Sequence, residues 1–273
     1  MIEIIKEILS YPFMVRALVV GLLVSLCAAL LGVGLVLKRY SMIGDGLSHV
    51  GFASLAIAMV FNAAPLLVSI PAVVLAAFFL LRISENSNIK GDAAIAIIST
   101  SSLAIGVLAV SIKTGMNTDV CNYMFGSILA MSKSDVRLSV ILSIVVIWMF
   151  IFFYNKLFAV TFDENYARAT GIKAGMFNML IAVLTAVTIV LGMRMMGALL
   201  ISALIIFPAL TSMRLFKTFK SVVISSAIIS IVCFFIGITI SYMVATPTGA
   251  SVVAVNLTVF ILFAGIRFAR GRI

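Results

Sequence analysis

Residues 41–50 read Ser-Met-Ile-Gly-Asp-Gly-Leu-Ser-His-Val and lie between two long apolar segments. They contain the only histidine of the chain and one of its nine carboxylates. Asp45 and His49 are four residues apart, so in a helix their side chains project from one face, one turn apart. Glycines in and next to this segment keep the helix thin, which lets neighbouring helices approach it closely. The segment therefore predicts a closely packed helix that carries an ionisable pair.

This Asp–His pair has two interpretations. In the first, Asp45 is the N-cap of a helix and His49 is a histidine with a satisfied hydrogen bond. In the second, both side chains bind a divalent metal, because a carboxylate oxygen and an imidazole nitrogen suit zinc and manganese. A membrane interior offers no water as an alternative partner, and ionisable groups at that depth mark functional sites. We therefore predict that Asp45 and His49 are metal ligands.

The composition predicts a polytopic membrane protein. The 273 residues are 64% hydrophobic and 10% charged, and the mean hydropathy is +1.30, far outside the range of soluble domains. We expect one transmembrane domain over residues 1–273. The chain has no phosphate-binding loop of the Gly-x-x-x-x-Gly-Lys-Ser/Thr type, so its energy source must be an ion gradient or a separate subunit. The net charge of +10 comes from basic residues in short loops, which set orientation and do not indicate nucleic acid.

Apolar segments of about 20 residues, the length that crosses the hydrocarbon, recur along the chain. The predicted spans cover residues 13–37, 43–60, 64–82, 93–112, 136–155, 176–194, 196–213, 221–243 and 250–267. Because one segment is short and another is interrupted by Gly197 and Pro208, we expect an all-α fold with eight or nine transmembrane helices. Nine spans with a cytoplasmic C-terminus place 13 Lys and Arg residues inside and 6 outside, as the positive-inside rule requires.

Residues 113–135 are polar for this chain and do not fit a simple span. Asp119 and Asn122 lie three residues apart and would share one face of a helix. Two interpretations stay open: a loop outside the membrane, or a short re-entrant helix that reaches a cavity. In the second interpretation Asp119 is the preferred third metal ligand, ahead of Asp92.

Residues 161–171 read Thr-Phe-Asp-Glu-Asn-Tyr-Ala-Arg-Ala-Thr-Gly and lie on the predicted cytoplasmic side. Thr161 and Glu164 have the spacing of a capping box. Acidic residues stand in the first turn, Arg168 stands in the last, and Gly171 is placed to end the helix. The stretch therefore predicts a short, well-defined helix.

This short helix carries an apolar stripe of Phe162, Tyr166 and Ala169 at helical spacing. Such a stripe fits either a lipid surface or a soluble protein partner. The acidic start, Asp163 and Glu164, disfavours an anionic lipid surface. We therefore expect the helix to dock onto a protein.

Five stretches together resemble the membrane permeases of zinc, manganese and iron ABC importers. They are residues 44–49 (Gly-Asp-Gly-Leu-Ser-His), 122–127 (Asn-Tyr-Met-Phe-Gly-Ser), 162–171, 196–209 and 246–250 (Thr-Pro-Thr-Gly-Ala). They occur in the order of that family and cover nearly the whole chain.

The resemblance implies a fold similar to the permeases of the vitamin B12 and siderophore importers, without their first helix. It implies a dimer of permeases, two cytoplasmic ATP-binding subunits and an extracytoplasmic metal-binding protein. It places Asp45 and His49 on the metal path. It also makes the cytoplasmic stretch a coupling helix to the ATPase, with the residues Phe162, Asp163, Glu164, Tyr166, Arg168 and Gly171.

The protein expected from these observations is a transport subunit of a bacterial or archaeal cytoplasmic membrane and is not itself an enzyme. Its cargo is a divalent metal, with zinc favoured over manganese and ferrous iron, and it holds no permanent cofactor. A homodimer is favoured over a heterodimer. The main alternative is a secondary metal transporter driven by an ion gradient. A single histidine excludes an intramembrane metalloprotease of the His-Glu-x-x-His type, and a purely structural protein would not explain the Asp–His pair.

Overall fold

The computed structural model of the chain describes residues 10–86, 91–114 and 132–271, with side chains at all of these except 84–86, 91–92 and 113–114. The described residues form eleven helices. In chain order these are α1 Pro12–Leu37, α2 Ile43–Val60, α3 Pro65–Asn86, α4 Gly91–Thr114, α5 Lys133–Phe152, α6 Tyr154–Phe162, α7 Glu164–Ala169, α8 Ala174–Met196, α9 Ala198–Leu215, α10 Phe219–Val244 and α11 Thr248–Ala269.

Nine helices in the described part of the chain are long and apolar enough to cross a membrane, which leaves only α6 and α7 as short helices. Each corresponds to one of the predicted spans, and the predicted all-α fold is confirmed. The short segment is a separate helix, α2. The interrupted segment divides at Gly197, whose φ of 84° lies in the left-handed region, so that α8 ends and α9 begins there. Pro208 lies inside α9 without ending it.

Helix α1 lies at the centre of the bundle and contacts α5, α8, α9 and α10. Polar side chains on its neighbours bind its backbone: the hydroxyl of Ser230 donates to the carbonyl of Ser25 at 2.9 Å. In the other direction, the Cys27 thiol donates to the carbonyl of Ser143 on α5 at 3.5 Å. In a membrane, where apolar contact with lipid competes with contact between helices, close packing and such hydrogen bonds hold helices together.

Glycine allows the closest of these contacts. A Cβ atom at Gly32 of α1 would lie 2.0 Å from the carbonyl oxygen of Ile205 on α9. Helix α2 also packs closely at glycines, on two sides. A Cβ at Gly46 would meet Ile95 of α4 at 2.8 Å, and one at Gly51 would meet Met193 of α8 at 2.8 Å. The predicted thin face of α2 is thus confirmed.

The turn between α1 and α2 lies at the same end of the bundle as α6 and α7. A Cβ at Gly34, near the end of α1, would lie 3.5 Å from the hydroxyl of Thr161 on α6. Arg39 takes a left-handed conformation with φ of 62°, and the N–H of Tyr40 donates to the carbonyl of Leu35 at 2.8 Å. The left-handed residue and this hydrogen bond end α1, and the chain enters α2 three residues later.

We expect Gly32→Ala to destabilise the protein, because the new methyl group collides with backbone on α9 and not with a movable side chain. Overpacking of this kind costs about 1–3 kcal/mol. Thermal unfolding in detergent measures the effect. The matched control is Gly175→Ala on α8, where a Cβ meets nothing within 4 Å, and equal melting temperatures of the two variants would contradict the packing account.

Candidate functional site

Asp45 and His49 lie in the first two turns of α2. The Nε2 atom of His49 is 3.6 Å from Oδ2 of Asp45, and the side chains are 19% and 47% exposed, respectively. The N-cap of α2 is Met42, which makes no side-chain cap hydrogen bond, and Asp45 stands inside the first turn. The interpretation of Asp45 as an N-cap is therefore wrong, and the predicted pair on one helical face is confirmed.

The residues between the pair anchor α2 in the bundle. Gly46, Leu47 and Ser48 are buried, and the hydroxyl of Ser48 donates to the carbonyl of Asp45 at 2.7 Å. The two ionisable side chains thus stand at the edge of a buried helix face. Both side chains keep part of their surface exposed, Asp45 more than His49.

The other two predicted ligands lack described side chains. Asp119 lies outside the described residues. Asp92 is the second residue of α4, whose backbone is described and whose side chain at that position is not. Ile95, one turn later, contacts Gly46, so the start of α4 lies beside the start of α2. Among the described residues no three His, Cys, Asp or Glu side chains form a metal-binding group, so Asp45 and His49 have no third such side chain beside them there.

The predicted cytoplasmic helix is α7, and its cap differs from the prediction. The N-cap is Asp163, whose Oδ1 accepts from the N–H of Tyr166 at 2.9 Å. The capping box of Thr161 and Glu164 is wrong, because α6 continues through Phe162 and leaves Thr161 inside a helix. The end is as predicted: Gly171 has φ of 83° directly after α7.

The apolar stripe of α7 and its flank faces outward. The side chains of Phe162 and Tyr166 are 59% and 63% exposed, and Ala169 is exposed as well, whereas Ala167 is buried. Large aromatic side chains exposed on a short loop helix form a surface that another protein can cover.

Glu164 connects α7 to two spans. Its Oε2 accepts from the Asn178 amide of α8 at 3.2 Å and lies 3.6 Å from Nζ of Lys38, the C-cap of α1. Its Oε1 binds the Arg168 guanidinium at 2.6 Å. The Lys38 ammonium also donates to the Asn178 side-chain oxygen. The sequence prediction missed Lys38 and Asn178 as partners of Glu164, although an amide inside an apolar span is a signal for such a contact.

Burial raises the pKa of Glu164, but the hydrogen bonds from Asn178 and Arg168 and the charge of Lys38 outweigh it, so the pKa lies below its ordinary value. A carboxyl with a lowered pKa is ionised above its unfolded-state pKa, and its pairing is lost only as the pH falls through the lowered value. At neutral pH the contact between α7 and Lys38 is therefore a charged one.

A second ion pair joins α5 to α8. Nη2 of Arg194 lies 3.2 Å from Oδ2 of Asp135, with side chains only 17% and 14% exposed. Asp135 also completes a capping box with Ser132 at the start of α5. No described residue accepts a hydrogen bond from the buried Nη1 of Arg194. The carboxylate is thus the charge that compensates this guanidinium within the described part of the chain.

Comparison with known proteins places the whole bundle in one family. The model of the ABC 3 transport family matches residues 10–266, which include the Asp–His pair, α7 and the nine candidate spans except the last three residues of α11. The chain belongs to the ABC 3 transport family. It is accordingly a multi-pass membrane component of a transport system.

Members of the ABC 3 transport family similar to this chain carry names that mention different metals. The chain is 30% identical to the high-affinity zinc uptake system membrane protein of Haemophilus influenzae, over 92% of this chain and 97% of that protein. It is 28% identical to the manganese transport system membrane protein of Halalkalibacterium halodurans, over 94% and 88%. Among solved structures, PsaBC from Streptococcus pneumoniae in complex with Fab matches with a TM-score of 0.86 and 28% identity, covering 96% of this chain and 95% of that chain.

Removing one charge of the Asp135–Arg194 pair should destabilise the bundle. We expect Asp135→Asn to lower the free energy of unfolding by on the order of 3 kcal/mol, because it leaves a largely buried guanidinium without a countercharge. Thermal unfolding in detergent provides the measurement.

The control for this pair removes both charges. Asp135→Asn combined with Arg194→Met should recover most of the lost stability, since an apolar replacement carries no uncompensated charge. If the double variant were no more stable than Asp135→Asn, the ion pair would not be the cause.

Proposed function

We propose that this protein is the permease that forms the path of a divalent transition metal across the cytoplasmic membrane, driven by a separate ATPase subunit. The observation that carries the proposal is the Asp45–His49 pair, one oxygen and one nitrogen ligand at the accessible edge of a membrane helix. A carboxylate and an imidazole suit zinc, manganese and ferrous iron. Relatives named for zinc and for manganese support this cargo class, and zinc is the first metal to test.

Two protein ligands suit transport better than permanent storage. A closed site of four Cys and His ligands holds zinc so tightly that it contributes folding energy. A site with one imidazole and one carboxylate leaves positions for water and for a ligand from another element. Asp119, Asp92 or the second protomer are the candidates for that ligand. The metal in turn offsets the cost of keeping the Asp45 carboxylate charged at membrane depth.

The proposed assembly contains two permeases, two cytoplasmic ATP-binding subunits and an extracytoplasmic metal-binding protein. The chain itself has no phosphate-binding loop. Helix α7 would dock onto the ATPase with the exposed side chains of Phe162 and Tyr166. This arrangement puts α7 and the C-terminus on the cytoplasmic side, in agreement with the 13 to 6 distribution of Lys and Arg.

Loss of either ligand should abolish metal uptake. We expect Asp45→Asn and His49→Ala to reduce the uptake of zinc or manganese by at least about tenfold, because even residues behind metal ligands contribute 10–100-fold. Uptake into proteoliposomes that contain the full complex is measured as metal content, at equal protein levels. Met42→Ala, an exposed residue at the start of α2, is the control and should transport normally. Near-normal uptake in both ligand variants would refute the metal site.

The docking surface is tested separately. We expect Tyr166→Glu to weaken binding of the ATPase subunit, because it places a charge where an apolar side chain would be covered. Copurification of the ATPase with the permease is the measurement. Phe61→Glu changes an aromatic residue that is 76% exposed in the turn after α2, at the opposite end of the bundle, and should leave association intact. Undiminished ATPase association with Tyr166→Glu would argue against docking at α7.

A further inference from the structure

We propose that Lys38 transmits movement of α7 to the first turn of α2, and so to the metal ligands. This inference rests on the proposed function. It assigns a positioning role to a residue that contacts neither the metal pair nor the exposed stripe of α7. The parts it connects are the Glu164 carboxylate, the turn from residue 38 to residue 42 and the Asp45–His49 pair.

The first step is the contact between α7 and Lys38. The Lys38 side chain is only 10% exposed, and its ammonium lies 3.6 Å from the Glu164 carboxylate. It also donates to the side chain of Asn178, which is 7% exposed. A buried ammonium needs its countercharge, so separating Lys38 from Glu164 is unfavourable. Movement of α7 therefore favours movement of the end of α1 in the same direction.

The second step is the short connection from Lys38 to α2. The N–H of Lys38 donates to Gly34 at 3.0 Å, that of Ile43 to Tyr40 at 3.0 Å and that of Gly46 to Met42 at 3.1 Å. The turn is thus hydrogen-bonded on both sides of the left-handed residue Arg39. Because no flexible linker separates the two helices, a displacement of the turn reaches the first turn of α2, where Asp45 stands.

The third step is the position of the Lys38–Asn178 contact next to α2, around a small cavity of about 10 Å³. A cavity open to the surface lies beside the turn, lined by Lys38, Tyr40 and Ile43 on one side and by Asn178, Ala182 and Leu81 on the other. Lys38 and Asn178 thus face the same space as the first residue of α2. The Lys38–Asn178 contact therefore lies directly beside the start of α2.

The Arg168 contact offers a matched comparison within the same network. Arg168 binds the other oxygen of Glu164, at 2.6 Å, but its side chain is 63% exposed and stays within α7. An exposed ion pair inside one helix contributes little to stability, and it does not join that helix to another element. Of these two cationic partners of Glu164, Lys38 alone belongs to another helix.

The experiment measures coupling in the assembled transporter. The complex of permease, ATPase and metal-binding protein is reconstituted in liposomes, and zinc uptake and ATP hydrolysis are measured together. We expect Lys38→Met to leave ATPase association in place and to lower the zinc transported per ATP by at least about fivefold, the lower range of coupling between linked sites. The control Lys173→Met removes an exposed lysine at the N-cap of α8 and should retain the wild-type ratio.

Two further variants separate coupling from simple loss of structure. Glu164→Gln keeps the shape of the partner on α7 and removes its charge, so it should reproduce the low ratio even if Lys38→Met fails to assemble. The exchange Lys38→Glu with Glu164→Lys should recover part of the ratio, because it restores the charge pair in reverse.

The outcomes are distinct from those of the proposed function. If the wild-type complex transports neither zinc nor manganese, the proposed function fails. If the wild-type complex transports and Asp45→Asn does not, while Lys38→Met and Glu164→Gln keep the wild-type ratio, the role of Lys38 is overturned. Equal losses in Lys173→Met and Lys38→Met would overturn it as well.

Discussion

The hydrocarbon interior of a membrane solvates neither charges nor free backbone groups, and this constraint determines where polar side chains lie in the bundle. Some hydroxyl groups inside the spans donate to carbonyls of the preceding turn, as Thr185 and Thr188 do in α8. All four carboxylates with described side chains have a partner within the chain: Asp45, Asp135, Asp163 and Glu164. These contacts differ in whether they join two helices or lie within one.

Three of these carboxylates lie beside a basic side chain, and the contacts differ in what they connect. Asp135 with Arg194 joins α5 to α8, and Glu164 with Lys38 joins α7 to α1. Such pairs fix one helix relative to another. Asp45 and His49 belong to the same helix, so their contact holds no two elements together. A pair at this spacing contributes only about 0.2–0.5 kcal/mol to an isolated helix. The contact therefore contributes little to stability, and the proposed metal binding would give the pair a role that stability does not.

The positions of the spans could be predicted from the sequence because a helix that crosses the hydrocarbon needs about 20 apolar residues, and segments of that length are visible in the sequence. The break at Gly197 was visible for the same reason, since a glycine between two apolar runs supplies the left-handed turn. The start of α7 was not predictable in this way. Thr161 and Asp163 are both good capping residues, and the choice depends on α6, where Phe158 and Phe162 pack on Phe219. That contact joins distant parts of the chain, so it cannot be predicted from the local spacing of residues.

The same limit applies to the candidate site. A spacing of four residues was enough to place Asp45 and His49 on one face, because helix geometry alone decides it. Lys38 and Asn178 are 140 residues apart, and the sequence distinguished neither from other basic or polar residues at span ends. Only the packing of α1 against α8 brings them together. Sequence therefore predicts ligands that share a helix and misses the groups that position that helix.

Helix α2 combines two properties that suit release of a metal. Its two ionisable residues move together because both are fixed to one short helix, so their mutual distance is preserved when the helix shifts. Its contacts with α4 and α8 include Gly46 and Gly51, where the side chains of Ile95 and Met193 approach its backbone closely. On the proposed function, a shift of α2 changes the distance from the pair to ligands on other elements while leaving the pair intact.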